Sequence, residues 1–139
     1  EKDFNVLKDV VCKRMEEGLM EPDVLEKTIE MSGGIVRGLI KLINLSSVRA
    51  IVKGKDKIDM ESLEEEIKEI CNDFLRYITK QEHIDALVQV YDRKSIELLS
   101  PEIRAELMEG KCIVEYNNGI RWDVHPVVVN ILKDRGKLQ

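Results

Sequence analysis

Arg37, Lys41 and the Ser32-Gly33-Gly34 triplet are the residues whose types and spacing point to chemistry. The glycines end one helical pattern, and the next opens with Arg37 in its first turn. A helix N-terminus presents amide N–H groups that have no intrahelical acceptor, and an arginine there adds a fixed charge and a planar fork of donors. Such a place favours an anion, and phosphate is the natural one. Lys41 and then Asn44 follow on the same helical face, at spacings of four and three residues. The competing readings are ordinary ones: a solvated arginine after a common helix stop, and a lysine kept for solubility.

Other chemistries find little support. Catalytic phosphate transfer needs a cradle of backbone amides, and no G-x-x-x-x-G-K-[ST] occurs, since Gly54-Lys55 is followed by Asp56. No strand ends in an acidic pair of the kind that holds magnesium. Cys12, Cys71 and Cys112 are odd in number, widely spaced and set among apolar neighbours, which suits core thiols. His83 and His125 are too far apart to suggest a metal site. No carboxylates pair in an apolar setting, and no nucleophile has a base nearby.

The 139 residues are 43% hydrophobic and 35% charged, with a net charge of −5, which suits one compact soluble unit or two very small ones. No run approaches the ~20 apolar residues of a membrane span, and Glu1-Lys2-Asp3 begins no signal peptide. A cytoplasmic location is expected. With no initiator Met and a helical pattern within four residues of the start, the chain is expected to be a fragment of a longer one.

Four helices are needed to position Arg37. Phe4, Leu7, Val10, Val11 and Met15 recur at helical spacing over about 3–17, with Arg14 at the edge of the stripe and Gly18 as the stop. Pro22 suits the first turn of a second helix that buries Val24, Leu25, Thr28 and Ile29 and ends at Gly33-Gly34. The third, about 35–52, is apolar on two sides and is expected to be enclosed by neighbours as the centre of a bundle. After the polar turn 53–57, Asp59 caps a fourth helix, with Ile58 and Leu63 as a hydrophobic staple. Its stripe is Leu63, Ile67, Ile70, Cys71, Phe74 and Ile78. Its opposite face, with Glu61, Glu64, Glu65, Lys68, Glu69 and Asp73, is expected to be solvated.

The remainder reads as helix, short helix, hairpin, helix. Ile84, Leu87, Val88 and Tyr91 face inward from a helix over 83–91. Ser100-Pro101 opens the next, and Gly110 closes it. For the hairpin, a three-residue loop Asn117-Asn118-Gly119 pairs Tyr116 with Ile120, Val114 with Trp122 and Cys112 with Val124, gathering the apolar residues on one face. A two-residue turn at Asn118-Gly119 splits that set between two faces, so the first register is expected. Pro126 opens a last helix through Val127, Val128, Ile131 and Leu132, before a partly basic tail, 133–139.

The order over residues 4–78 (two short helices, Ser-Gly-Gly, Arg37 on a long apolar helix, then Ile58-Asp59 opening another) resembles the helical lid of AAA+ ATPases. In that family such a segment delivers the sensor-two arginine to the nucleotide. The resemblance implies that Arg37 is that residue, that Ser32, Gly33 and Gly34 set its approach, and that Lys41 adds to a nucleotide-sensing face. Residues of about 80–134 are similar to a winged-helix domain with an extra helix, the order found in AAA+ proteins of the origin-recognition and helicase-loader type. The expected architecture is therefore mostly α: a lid-like helical bundle over 1–79, then a small α+β winged-helix-like unit over 80–139 with one β-hairpin. By this resemblance the chain catalyses nothing alone and holds no cofactor, and ATP with magnesium belongs to a preceding P-loop domain of the parent protein. Two alternatives remain open. One is a nucleic-acid-binding module touching a backbone through the hairpin tip Asn117-Asn118-Gly119-Ile120-Arg121, with Asn118 and Arg121 foremost, and the tail residues Lys133, Arg135 and Lys137. The other is a protein-interaction domain anchored by Trp122 and Tyr116. The net charge of −5 and the acidic short helix, with Glu102, Glu106 and Glu109 against Arg104, weigh against nucleic acid.

Overall fold

The computed structural model describes residues 2–15, 18–116 and 118–138. Among them are seven helices and one two-stranded antiparallel sheet: α1 Lys2–Arg14, α2 Pro22–Met31, α3 Val36–Val52, α4 Met60–Leu75, α5 Gln81–Arg93, α6 Pro101–Glu109, β1 Ile113–Tyr116, β2 Arg121–Val124 and α7 Pro126–Asp134. The fold is thus mostly helical, a bundle followed by a small α+β part with one hairpin. By internal contacts the chain forms two compact units, 1–69 and 70–139. Glu16 and Glu17, expected to end the first helix, lie outside the described residues, as do the side chains of Phe4 and Arg14.

In the first unit, Leu7 and Val11 of α1, Leu25 and Ile29 of α2 and Leu39 of α3 form a buried cluster, with Met15, Met20 and Ile43 packed against it. Pro22 lies in the first turn of α2, and Val24, Leu25, Thr28 and Ile29 are buried as its period requires. The turns before α2 and α4 are tied together, Ile58 N–H donating to the Leu19 carbonyl at 2.9 Å.

The expectation that α3 is enclosed all round is not met. Leu39, Leu42, Ser46 and Ala50 form its buried line. Ile35, Val36, Ile40, Leu45, Val48, Ile51 and Val52 are exposed. Two-sided apolarity records what a helix can bury, not whether a neighbour is there to bury it.

The carboxylates of α4 are more than a solvated face. Arg49 of α3 donates through Nε to Glu66 at 2.8 Å and approaches Glu65 at 3.5 Å, while Lys53 reaches both Glu61 and Glu65. Lys27 of α2 pairs with Glu64 at 3.3 Å. Only 7% of Glu66 is exposed, so its charge needs the Arg49 guanidinium beside it. The Lys53 ammonium, donating to Glu65, holds that carboxyl below its usual range. These pairs link α4 to α3 and to α2.

In the second unit, Ser100 caps α6, its Oγ accepting from Ile103 N–H at 3.3 Å, with Pro101 in the first turn. Leu87, Val90, Leu107, Cys112, Val127, Val128 and Leu132 are fully buried in its core. The hairpin register departs from expectation: Ile113 pairs with Val124, Val114 with Asp123, Glu115 with Trp122 and Tyr116 with Arg121. Asn118 and Gly119 have φ of 55° and 88°, left-handed at both positions, as a two-residue type I′ turn demands. Turn chemistry therefore overrode the face pattern. The split apolar set is tolerated because Ile113 and Val114, on opposite faces at the hairpin base, are both buried.

His125 shows how this core uses a polar group. It caps α7, its Nδ1 accepting from Val127 N–H at 3.2 Å, and its ring lies 4.8 Å from that of Phe74. Burial pushes its pKa down from 6.5 to about 4. The unfolded chain therefore takes up the proton first, so the neutral cap's contribution is intact above pH 6.5 and is lost as pH falls towards 4. Between pH 7 and pH 5 this amounts to about 2 kcal/mol of unfolding free energy. His125→Asn keeps an acceptor at the cap and removes the titration. Urea unfolding at the two pH values is expected to show a smaller loss for the variant; equal losses refute this role for His125.

Candidate functional site

The bend that carries Arg37 is built from α2 outward. Ser32, 3% exposed, closes α2 by donating through Oγ to the Ile29 carbonyl at 2.6 Å, and the same oxygen accepts from Gly34 N–H at 3.3 Å. Gly33 and Gly34 have φ of 72° and 78°. Two successive left-handed residues turn the chain sharply, at a cost that side-chain-bearing residues resist and glycine does not. Ser32, Gly33 and Gly34 thus act together as one rigid corner.

Beyond the corner, Ile35 occupies the N-cap of α3 and supplies no side-chain cap. The first-turn amides of Val36, Arg37 and Gly38 have no intrahelical acceptor, the first helical bond running from Leu39 N–H to the Ile35 carbonyl at 2.9 Å. Arg37 and Lys41 are exposed, one turn apart. Among the described residues neither has an ion-pair partner, whereas Arg49 of the same helix and Lys53 at its C-cap are both paired with carboxylates. The helix carries no acidic residue. The arrangement is an uncapped positive helix end with two side-chain cations, suited to an anion of more than one charge.

The residues suggested for nucleic-acid or partner contact are differently placed. Asn118 is at the hairpin turn, and Trp122 is half-buried on β2 with its backbone N–H donating to the Lys94 carbonyl at 3.0 Å. Arg121 is exposed but pairs with Asp123 at 3.3 Å, and Lys94 also reaches Asp123, at 2.9 Å. On α6, Arg104 is turned inward onto the carbonyls of Ile96, Glu97 and Leu99. That leaves the exposed Glu102 and Glu109 to set the sign of the helix surface.

A polar cluster in the second unit is not apparent from sequence spacing. Buried His83 accepts from Thr79 N–H at 3.2 Å through Nδ1, and its Nε2 is hydrogen-bonded to Glu106, which Lys80 also approaches at 3.4 Å. The His83 hydrogen bond holds the Glu106 carboxyl below its usual range. Both ring nitrogens are engaged, and the cluster joins α5 to α6. His83 and Glu106 are 23 residues apart, and only the packing of two helices brings them together.

Cys112 is fully buried, its thiol pushed up to about 12 by burial, which removes it as a nucleophile. No cluster of His, Cys, Asp and Glu among the described residues is arranged to hold a metal ion, and no described helix is long and apolar enough to cross a membrane. Comparison of the chain with protein-family models, with curated proteins and with solved structures finds no match in any of the three.

Proposed function

We propose that this chain is the lid and accessory region of an AAA+-type P-loop ATPase, in which Arg37 senses the triphosphate held by a preceding domain of the parent protein. The observation that carries the reading is the placement of Arg37: exposed, without an ion-pair partner among the described residues, and in the first turn of an uncapped helix behind a rigid Ser-Gly-Gly corner. The phosphate cradle and magnesium belong to the other domain, and ATP supplies the reactive bond there. This chain contributes the guanidinium, the Lys41 ammonium and the α3 amides, all of which favour the more highly charged nucleotide. Loss of the γ-phosphate removes the group that α3 is drawn towards, and the lid relays that change to partners.

The parent protein is expected to bind a slowly hydrolysed ATP analogue more tightly than ADP, and Arg37→Ala to shrink that preference. Titration calorimetry of both nucleotides reads it directly. An unchanged preference in the variant sinks the assignment. The nucleic-acid alternative is weakened by the acidic surface of α6 and by the pairing of Arg121 with Asp123.

A further inference from the structure

The start of α5 is closed by a histidine. Lys80, its N-cap, supplies no side-chain hydrogen bond. His83, 3% exposed and at the third helical position, reaches back instead, its Nδ1 accepting from the Thr79 N–H at 3.2 Å. This is the return half of a capping box, made by a ring whose acceptor exists only while the ring is neutral. With Nδ1 unprotonated, the ring proton is on Nε2 and is donated to Glu106 Oε2, the oxygen that Lys80 also approaches at 3.4 Å. We propose that His83 is a proton-operated switch on the N-terminus of α5. Neutral, it caps the helix. Charged, it releases Thr79, keeps Glu106 and displaces Lys80, so the first turn of α5 opens while the rest of the second unit stays folded.

The charged groups around the ring decide which contacts give way. Lys80 at the N-cap, Arg76 in the preceding turn, and Glu106 and Glu109 of α6 line, with Tyr77 and His83, a cleft of about 290 Å³. While the ring is neutral, two cations face two carboxylates. The Glu106 carboxyl is held below its usual range, chiefly by the His83 hydrogen bond, so its charge is in place over the range in which histidines titrate. A proton added at Nδ1 sets two N–H donors against each other at Thr79 and leaves both without an acceptor. It also brings a second cation to the oxygen that Lys80 uses, with Arg76 a third in the same cleft. The new charge lies at a helix N-terminus, where the macrodipole opposes it. Glu106 acts the other way and holds the charged ring in place, so the strain falls on Thr79 and Lys80. None of these groups belongs to the first unit, and the switch stands apart from the nucleotide reading.

Nuclear magnetic resonance of the 139-residue chain, from about pH 8 to about pH 5, tests the switch. The ring nitrogen shifts follow the protonation of His83, and a nitrogen–nitrogen coupling across the Thr79–His83 hydrogen bond follows the cap. Amide exchange follows the first turn through the His83 N–H, which donates to the Lys80 carbonyl at 3.1 Å. As the ring charges, the coupling is expected to vanish and protection of the His83 amide to fall at least about tenfold, with the same midpoint. The amide of Val90, fully buried further along the same helix, keeps its protection. A ring that takes up no proton before the unit unfolds overturns the proposal. So does a charged ring with the His83 amide still protected, or protection lost at Val90 together with His83. His83→Asn keeps an acceptor for Thr79 and cannot charge, so its first turn is expected to stay closed throughout; opening as in the unaltered chain refutes the switch. That variant gives up the Glu106 bond, so Glu106→Gln serves as the second. It removes the carboxylate that steadies the charged ring, and ring charging and turn opening are expected to move together to lower pH. Midpoints that separate also overturn the proposal.

Discussion

Replacing Arg37 by alanine is expected to lower ATP turnover by the parent protein by about 10²- to 10³-fold, the range found for removal of a single preorganised donor to a developing oxyanion. The fold is expected to survive, because Arg37 is exposed and takes part in no ion pair among the described residues. Arg37→Lys keeps the charge but loses the planar fork, so it restores only part of the rate. Lys41→Ala, one turn further from the helix end, produces a smaller loss. Steady-state turnover with far-ultraviolet circular dichroism as the folding control measures all three. Undiminished turnover in Arg37→Ala removes the catalytic half of the reading. A loss accompanied by loss of helix shows that the side chain is structural instead.

The largest effect on stability is expected at Leu107. It is fully buried in α6, and the carbonyl of the same residue accepts from Cys112 N–H at 3.0 Å, so its backbone is fixed at the join between α6 and β1. A site anchored in this way collapses poorly around a lost side chain. Leu107→Ala is expected to destabilise the protein by about 2–5 kcal/mol, through lost burial plus the remaining cavity. Leu98→Ala, at a position 65% exposed, stays within about 0.5 kcal/mol. The two midpoints of urea unfolding, at unchanged slope, give the comparison. A Leu107→Ala shift as small as that of Leu98→Ala contradicts the core assigned to the second unit.

Element boundaries were legible because local chemistry sets them. Pro22, Pro101 and Pro126 each open a helix, Ser100 caps where a cap is needed, and Gly33-Gly34 turns the chain left-handed. What failed depended on neighbours. The hairpin register was decided by the backbone demands of Asn118-Gly119, and burial of both faces at its base removed the reason for gathering apolar residues on one side. The expected solvated face of α4 is exposed at Glu61, Glu64, Lys68, Glu69 and Asp73, but the run gave no sign that Arg49, Lys53 and Lys27 face it, since those cations come from elsewhere in the chain. The His83–Glu106 link was hidden for the same reason. At the candidate site, the corner and the arginine were visible from residue types alone. The uncovered apolar side of α3 was not, because apolar residues announce a surface to be buried without naming what buries it.

The most direct measurement is a crystal structure of the parent protein with magnesium and a non-hydrolysable ATP analogue. The predicted result is a guanidinium nitrogen of Arg37 within hydrogen-bonding distance of the γ-phosphate, about 2.7–3.2 Å, with the Ser32-Gly33-Gly34 corner unchanged. A bound triphosphate with Arg37 turned to solvent, its charge met by other residues, contradicts the account.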